Sequence, residues 1–353
     1  MLKRWVNECR FTLELIAKGP LLVREGRWEK EKDKKEKKDT EKKEFNPDSI
    51  PIRGGVWYGD KRDIPENRKV YGYLPKDAYY YLPGTSIRGV LRSHAERIVR
   101  TVAPGCCCDP FQKSPEASDR GCGFWHDDNK TPHKEAYSKS CVICRLFGST
   151  GQASRIRLND AQLVESTLKM GLRDHVGIDR FTGGAAEKVK FQDLVMEAGT
   201  TFTTQVVIRN FELWQLGLLA YVLRDLKCWQ DGLIRVGAGK SKGYGLVEGK
   251  VNDLEVRYYG SFSPDRGLLD LGNLVPKEEV TAYDFQAGKC QEKPLLVKKD
   301  STRLYCHAYE VIDEESFWKA AAQDWNQKIT NGSFKTLSKL REAAATSAPE
   351  EES

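Results

Sequence analysis

The stretch Leu82–Ser93, LPGTSIRGVLRS, carries the sharpest local signal in the chain. Gly84 supplies a turn, and either Thr85 or Ser86 can cap the helix that the following residues form. The apolar side chains after this point recur at helical spacing. A helix N-terminus with two hydroxyls, backbone N–H groups and Arg88 beside it suits an anion such as a phosphate. An ordinary well-capped helix explains the same pattern, so the stretch alone leaves both interpretations open.

The segments on either side of this helix indicate an α+β domain. Their order of strand, helix, strand, strand, helix, strand is typical of a ferredoxin-like βαββαβ core. The pattern occurs once, with large insertions after the first strand and the first helix. The predicted elements are a strand in Phe11–Val23 that breaks at Gly19-Pro20, a strand in Arg155–Val164, a strand pair in Val195–Arg209, a helix in Glu212–Leu226, a strand in Leu246–Tyr258, and helices in Glu315–Trp325 and Lys335–Ala345.

Composition and charge exclude some classes of protein. The chain has 353 residues and a net charge of +6, and no window approaches the roughly 18 apolar residues that a membrane span needs. Its start has no apolar segment typical of a secretory signal, so we expect a cytoplasmic protein without a membrane partner. The run 29–44, EKEKDKKEKKDTEKKE, is nearly balanced in sign and is interpreted as a solvated insertion. This run therefore does not account for the basic net charge.

A cysteine-rich stretch follows the first predicted helix. Cys141 and Cys144 are separated by two residues, which lets both thiolates bind one tetrahedral zinc ion. Because a loop-rich insertion without its own core can be held together by a metal, we expect structural zinc here. A redox CxxC motif is the alternative. The expected ligands are Cys108, Cys122, Cys141 and Cys144, with Cys106, Cys107 and His126 as substitutes that the sequence leaves open.

A glycine-rich loop precedes the last core strand. Gly237–Gly245, GAGKSKGYG, lacks the spacing of a phosphate-binding P-loop and leads into a strand. Its glycines still let backbone N–H groups approach a polyanion, and Lys240 and Lys242 add charges that suit phosphates. A tight turn with exposed lysines explains the loop equally well. The remaining motif, HVGIDRFTGG from His175 to Gly184, is interpreted as a loop with a histidine and an Asp-Arg pair.

Four motifs, in chain order, resemble the signatures of the RAMP proteins of CRISPR interference complexes. They are Leu82–Ser93, Cys141–Ser149, His175–Ala185 and Gly237–Gly245. The resemblance covers roughly residues 8–259 and is strongest to the backbone subunits of type III effectors. It implies a ferredoxin-like (RRM-like) core that binds CRISPR RNA and stacks with neighbouring RAMP-type subunits into a helical filament. The implied partners are CRISPR RNA, target RNA, other RAMP-type subunits and the large effector subunit.

The resemblance also implies a division of the chain. Residues 1–259 would form the RNA-binding domain, with a charged insertion at 24–78, a zinc-binding insertion at 104–144 and a thumb-like hairpin at 168–192. Residues 260–353 would form a partly helical C-terminal extension. The thumb of this family inserts into the duplex of guide and target. The residues implied to contact RNA are Thr85, Ser86, Arg88, Arg92, His175, Arg180, Lys240 and Lys242.

Cleavage of target RNA in this family uses an aspartate in the loop after the first strand, with Mg²⁺ or another divalent ion. The corresponding loop here is enlarged, and Asp60 and Asp63 are the best candidates for that acid. The leading hypothesis is a CRISPR RNA-binding backbone subunit that is also a candidate endonuclease. One alternative is a non-catalytic structural or capping subunit. A second is a stand-alone guide-processing endonuclease in which His94 or His175 acts as the base.

Overall fold

The computed structural model describes residues 2–24, 49–54, 79–114, 120–128, 130–132, 135–260, 267–288, 296–299 and 305–345. Within these residues the chain is a mixed α+β protein with antiparallel sheets. Among the helices described there, none combines the length and apolar character that crossing a membrane requires.

Eleven strands and seven α-helices are described within these ranges. The strands are β1 Asn7–Ala17, β2 Arg53–Gly54, β3 Tyr79–Leu82, β4 Ile156–Leu158, β5 Ala161–Leu163, β6 Met170–Ile178, β7 Ala185–Met196, β8 Thr201–Arg209, β9 Val247–Tyr259, β10 Leu296–Lys298 and β11 Cys306–Val311. The helices are α1 Gly84–Val102, α2 Cys122–Asp128, α3 Val142–Phe147, α4 Leu213–Lys227, α5 Lys277–Tyr283, α6 Glu314–Thr330 and α7 Leu337–Ala345.

The large sheet is centred on β1. Its strands run in the order β10-β11-β9-β1-β8-β5-β3-β2, β4 also pairs with β8, and every pairing is antiparallel. The alternating sequence of β1 explains its central place, because Phe11, Leu13 and Leu15 are buried on one face. In the chain, α1 lies between β1 and β4, and α4 lies between β8 and β9. The two helices predicted from the sequence, α1 and α4, therefore lie between strands in the order that the sequence predicted.

Strands β6 and β7 form a separate two-stranded antiparallel hairpin. The prediction placed a strand pair around Gly199, and this detail was wrong: β7 pairs with β6, whereas β8 pairs with β1. The predicted strand Arg155–Val164 is likewise divided, at Asn159-Asp160, into β4 and β5. The local apolar pattern identified strand positions but carried no information on which strands would pair.

The C-terminal residues complete the core. Helix α6 packs along α4, where Gly217 brings the two backbones close together beside Trp325. Trp214 of α4 lies against both Trp325 and Phe334, with ring centroids 6.2 and 5.1 Å apart. Strand β11 extends the sheet next to β9. The described part of 267–345 therefore shares one hydrophobic core with the residues before it.

Candidate nucleic-acid interface and metal centre

The first turn of α1 differs from the predicted cap. Pro83 occupies the N-cap position, and the Gly84 N–H donates to Asp160 Oδ1 over 2.8 Å. A Cβ at Gly84 would lie 2.7 Å from the carbonyl oxygen of Asn159, so glycine is needed for this close approach. Neither Thr85 nor Ser86 is the N-cap, and a carboxylate from the β4–β5 turn already lies at the helix N-terminus. The two hydroxyl residues lie in the first helical turn, Thr85 exposed and Ser86 half-buried.

The two arginines of α1 make contacts within the chain. Arg88 donates to the carbonyl oxygen of Phe147, the last residue of α3. Arg92 donates to the Gly148 carbonyl over 3.0 Å and to Glu96 over 2.9 Å. Both side chains therefore hold the cysteine-bearing insertion against α1, a role that their positions in a basic motif did not indicate.

Cys108, Cys122, Cys141 and Cys144 form a group of four buried thiols, which we call the four-thiol cluster. One sulfur from each lies within 4.8 Å of all the others. Cys108 Sγ is 3.6 Å from Cys141 Sγ and 3.7 Å from Cys144 Sγ. The backbone N–H of Cys141 points at Cys122 Sγ over 3.3 Å, and that of Cys144 at Cys141 Sγ over 3.4 Å. This donor set, predicted from spacing, could bind a metal such as zinc.

Two of the sulfur–sulfur distances fit a tetrahedral metal site. Zinc–sulfur bonds of about 2.3 Å place the sulfurs of a tetrahedral site about 3.8 Å apart. The measured separations of 3.6 and 3.7 Å are close to that value. The four cysteines come from the loop after α1, the start of α2, and both sides of the α3 N-terminus, so a metal would join segments that are distant in sequence.

The substitutes named from the sequence lie outside the four-thiol cluster. Cys106 Sγ is 3.6 Å from the Phe334 carbonyl oxygen, and Cys107 Sγ is 3.4 Å from the Cys108 carbonyl oxygen. His126 Nε2 lies 2.9 Å from Ser140 Oγ. Burial lowers the pKa of His126 to about 4, which keeps this imidazole neutral at physiological pH.

The glycine-rich loop is built on backbone conformations that favour glycine. Gly237, Gly239, Gly243 and Gly245 all have positive φ angles, and a Cβ at Gly237 would collide with the Leu22 carbonyl oxygen. The loop is bonded to the segment after β1, since Ala238 N–H donates to that carbonyl over 2.7 Å. The fold thereby presents Lys240 and Lys242 to solvent on a short 3₁₀ turn.

His175 lies at the contact between the hairpin and the glycine-rich loop. Its ring stacks on Phe191 of β7, with centroids 4.7 Å apart. Its Nε2 is 2.6 Å from Tyr244 Oη and 3.2 Å from Asp193 Oδ2. Lys242 Nζ lies over the same phenyl ring, 4.2 Å from the Phe191 centroid. His175, predicted as an RNA contact, therefore makes a set of contacts inside the protein.

The hairpin tip is exposed. Arg180 lies in the turn between β6 and β7, next to Phe181, which is 99% exposed. Asp179 shapes this turn, because its Oδ1 accepts from the Phe181 N–H over 2.8 Å and its own N–H donates to the Gly184 carbonyl. Ile178, 61% exposed, adds a second apolar side chain. An arginine and two exposed apolar residues on an extended ribbon suit contact with a partner.

Two residues at the hairpin base were missed from the sequence. Asp193 is 2% exposed, and Tyr244 is buried beside it. Burial first, and then the Asp193 carboxylate, raise the pKa of Tyr244, so its hydroxyl keeps its proton. Tyr244 lies inside the glycine-rich motif, so the sequence could have identified it as a candidate. Asp193 lies in an ordinary strand pattern, and only tertiary structure brings it to His175.

The remaining candidates are placed elsewhere. His94, named as a base for guide processing, is 5% exposed and its Nε2 is 2.8 Å from Asp225 Oδ2, which joins α1 to α4. Asp60 and Asp63 lie outside the described residues.

Comparison with known proteins gives one family. The family model described as RAMP superfamily matches residues 72–248, half of the chain. No curated protein matches the sequence. The matched range includes α1, the four-thiol cluster, the hairpin and the glycine-rich loop.

Proposed function

The chain belongs to the RAMP superfamily, and we propose on this basis that it is a CRISPR RNA-binding backbone subunit of a type III RNA-targeting effector complex. One observation carries the proposal: an exposed hairpin is joined at its base to a loop that presents two lysines. The hairpin and the loop are connected by the contact of His175 Nε2 with Tyr244 Oη, over 2.6 Å. Single-stranded nucleic acid is bound by cationic grooves combined with apolar or aromatic platforms, and the two elements supply both.

We propose that β1, β8, β9 and β4/β5 are a ferredoxin-like core, since their order β9-β1-β8-β5 is that of a βαββαβ sheet. On this proposal, residues 1–259 are the RNA-binding domain and 260–353 are an extension. Insertions would occupy 24–78 and 104–144, and 168–192 would be the thumb.

The guide backbone is proposed to run along the loop of Lys240 and Lys242 and past the first turn of α1. Thr85 and Ser86 would donate hydroxyls there, whereas Arg88 and Arg92 would act mainly by holding the insertion in place. The thumb would enter the guide–target duplex through Phe181 and Ile178 at its tip. Phosphate contacts of this kind give affinity, while base pairing between guide and target reads the sequence.

The proposed metal of the four-thiol cluster is structural zinc. Replacing Cys141 by Ser is expected to lower the zinc content of the purified full chain from about one ion per molecule to near zero. Cys228→Ser is the matched control, because Cys228 is an exposed thiol at the C-terminal end of α4 and is not part of the ligand set. Zinc content unchanged in Cys141→Ser, or absent from the native protein, contradicts the assignment.

We further propose that this subunit cleaves target RNA, with Asp60 or Asp63 as the acid and Mg²⁺ or another divalent ion as the cofactor. At a nucleotide displaced by the thumb, the 2′-hydroxyl would lose its proton and attack the adjacent phosphate. The bond from phosphorus to the 5′-oxygen of the next nucleotide would break, leaving a 2′,3′-cyclic phosphate and a 5′-hydroxyl. The test assembles the effector with guide, labelled target RNA, the large subunit and the other RAMP-type subunits. Asp60→Ala and Asp63→Ala are compared singly and together. Loss of one set of cuts supports the assignment, and cuts that persist in the double variant refute it.

Two alternatives remain. A non-catalytic structural or capping subunit would bind guide RNA normally and lose no cut in that experiment. A guide-processing endonuclease would cut precursor RNA as the purified protein alone, and His175 is favoured over His94 because it adjoins the exposed lysines. His175→Ala would abolish such cutting. A cytoplasmic location is proposed for each of these functions.

A further inference from the structure

Asp193 is a buried acid at which three separate segments meet. Its Oδ2 is 3.2 Å from His175 Nε2, and its Oδ1 is 3.9 Å from Arg24 Nη2. Arg24 ends the described segment after β1. Because a buried carboxylate is costly without partners, this geometry favours keeping His175 in place, while the more distant and half-exposed Arg24 adds opposite charge. Asp193 therefore connects β6 and the loop after β1 to its own strand, β7.

The backbone around Asp193 holds both flanks of residues 25–48. On one flank, Leu21 and Met196 exchange two hydrogen bonds of 2.8 and 2.9 Å. On the other, Ser49 forms a bridge with Asp193, and the Leu194 N–H donates to the Ser49 carbonyl over 2.9 Å. The entry to the enlarged loop is thus attached to the base of the hairpin.

The glycine-rich loop reaches the same point through Tyr244. Its hydroxyl shares His175 Nε2 with Asp193, and its ring packs with Leu22 and Val195 in a small buried cluster. Lys242 lies on Phe191, two residues before Asp193. The hairpin base consequently contacts the loop that carries the lysines. It also contacts residues 21–24 and 49, which lie on either side of residues 25–48.

We propose that Asp193 is a positioning residue that acts through His175, Tyr244 and Arg24. It fixes the hairpin, the glycine-rich loop and residues 18–24, which follow β1, in one arrangement, so that a bound RNA meets all three together. A two-stranded hairpin is marginally stable by itself, and these contacts at its base supply what its own pairing lacks. The claim that this arrangement aids RNA binding, which we call the RNA part, rests on the proposed function. The claim that Asp193 holds the three segments together, which we call the mechanical part, does not.

The mechanical part is tested by hydrogen exchange on the full chain. Tyr244→Phe and Asp193→Asn are compared with Tyr221→Phe, which removes a hydrogen bond of 2.8 Å to Asn326 between α4 and α6. Loss of one hydrogen bond is expected to speed exchange of the β6 and β7 amides about fivefold. Exchange in β1 and β8 should not change, and Tyr221→Phe should leave the hairpin at the native rate. Hairpin exchange unchanged in both test variants would overturn the proposal.

The RNA part uses guide RNA affinity measured at several salt concentrations. Removing an acid close to the glycine-rich loop should tighten RNA binding if Asp193 acts only through its charge. Positioning predicts the opposite, a loss of about threefold to tenfold in Asp193→Asn and Tyr244→Phe, with an unchanged salt slope because the lysines remain. Tighter binding in Asp193→Asn would refute the positioning role. If the native chain binds no guide RNA, the proposed function fails, and the exchange experiment still decides the mechanical part.

Discussion

Arg92 of α1 lies against the four-thiol cluster: its Nη2 is 3.6 Å from Cys144 Sγ. The same guanidinium donates to the Gly148 carbonyl, just after α3. A cation beside a cluster of thiolates offsets their negative charge and orients one of them. Arg92 therefore links α1 to the four-thiol cluster, and this link explains why a basic residue on the helix surface is half-buried.

Arg92→Ala is expected to weaken metal binding by about tenfold to a hundredfold, the usual effect of losing a partner of a metal ligand. The measurement is zinc transfer to a colorimetric chelator at equilibrium. Arg97→Ala is the control, because Arg97 lies on the same helix and its side chain donates to the Leu233 carbonyl over 3.4 Å, away from the thiols. Equal zinc retention in the two variants would show that Arg92 does not support the cluster.

Asp270 predicts a pH dependence of stability. It is fully buried, and its carboxylate accepts from the backbone N–H groups of Leu213, Gly272 and Gly288. Burial, and then the neighbouring Glu212, raise the pKa of Asp270 from 3.8 to about 7. Between these values the folded chain holds a proton that the unfolded chain releases. Stability contributed by this group is therefore present at low pH and lost as the pH rises toward 7.

Chemical denaturation at several pH values checks this. The free energy of unfolding should fall more steeply between about pH 4 and 7 in the native chain than in Asp270→Asn, which cannot ionise. Asp231→Asn, at an exposed position after α4, should keep the native slope. Parallel curves for the native chain and Asp270→Asn would contradict the prediction.

The positions of helices and strands could be predicted from the sequence more reliably than the contacts between them. Alternation in β1 and the motif of α1 are local patterns, so the strand and helix positions followed from them. The pairing of Cys141 and Cys144 was also predictable, because two residues between the thiols suit one tetrahedral ion. The spacing did not decide which of the neighbouring cysteines or His126 would complete the group. The prediction of the helix cap was wrong because it depends on tertiary structure. The group that accepts from the Gly84 N–H belongs to Asp160, which is distant in sequence.

The contacts at the hairpin base show the same limit. His175 and Tyr244 both stood in recognised motifs, yet their 2.6 Å contact joins residues separated by 69 positions. Arg88 has a side chain that suits RNA, and the sequence therefore predicts an RNA contact for it. In the structure its guanidinium donates to the Phe147 carbonyl inside the protein. Residue chemistry alone does not say whether a charged group faces solvent or a buried acceptor.

Replacement by alanine is expected to have opposite effects on stability at two glycines that lie within helices. A Cβ at Gly217 of α4 would overlap the Ala321 carbonyl and lie 2.7 Å from Trp325 Cβ, so Gly217→Ala should destabilise the fold by about 1–3 kcal/mol. Gly89 of α1 has no neighbouring atom within 4 Å of that position, and Gly89→Ala should stabilise by about 0.5–1 kcal/mol. Denaturant titration measures both. Changes of the same sign would contradict the close packing of α4 on α6.

Lys240 and Lys242 are expected to contribute separately to RNA binding. Each exposed lysine that neutralises one phosphate adds about 0.7–1 to the slope of log affinity against log salt concentration. Lys240→Ala and Lys242→Ala should each lower the slope by that amount for a guide RNA. Lys277→Ala, at an exposed position that begins α5, should leave the slope unchanged.

Lys242 has a second contact, over the Phe191 ring of the hairpin, and among the described residues no such ring contact is seen for Lys240. Lys242→Ala is therefore expected to lose more affinity at high salt, where phosphate attraction is screened but hairpin support is not. Lys242→Arg, which retains both the charge and the ring contact, should restore most of this affinity. Equal losses for the two alanine variants at high salt would show that the lysines act as charges alone, and that the hairpin does not depend on Lys242.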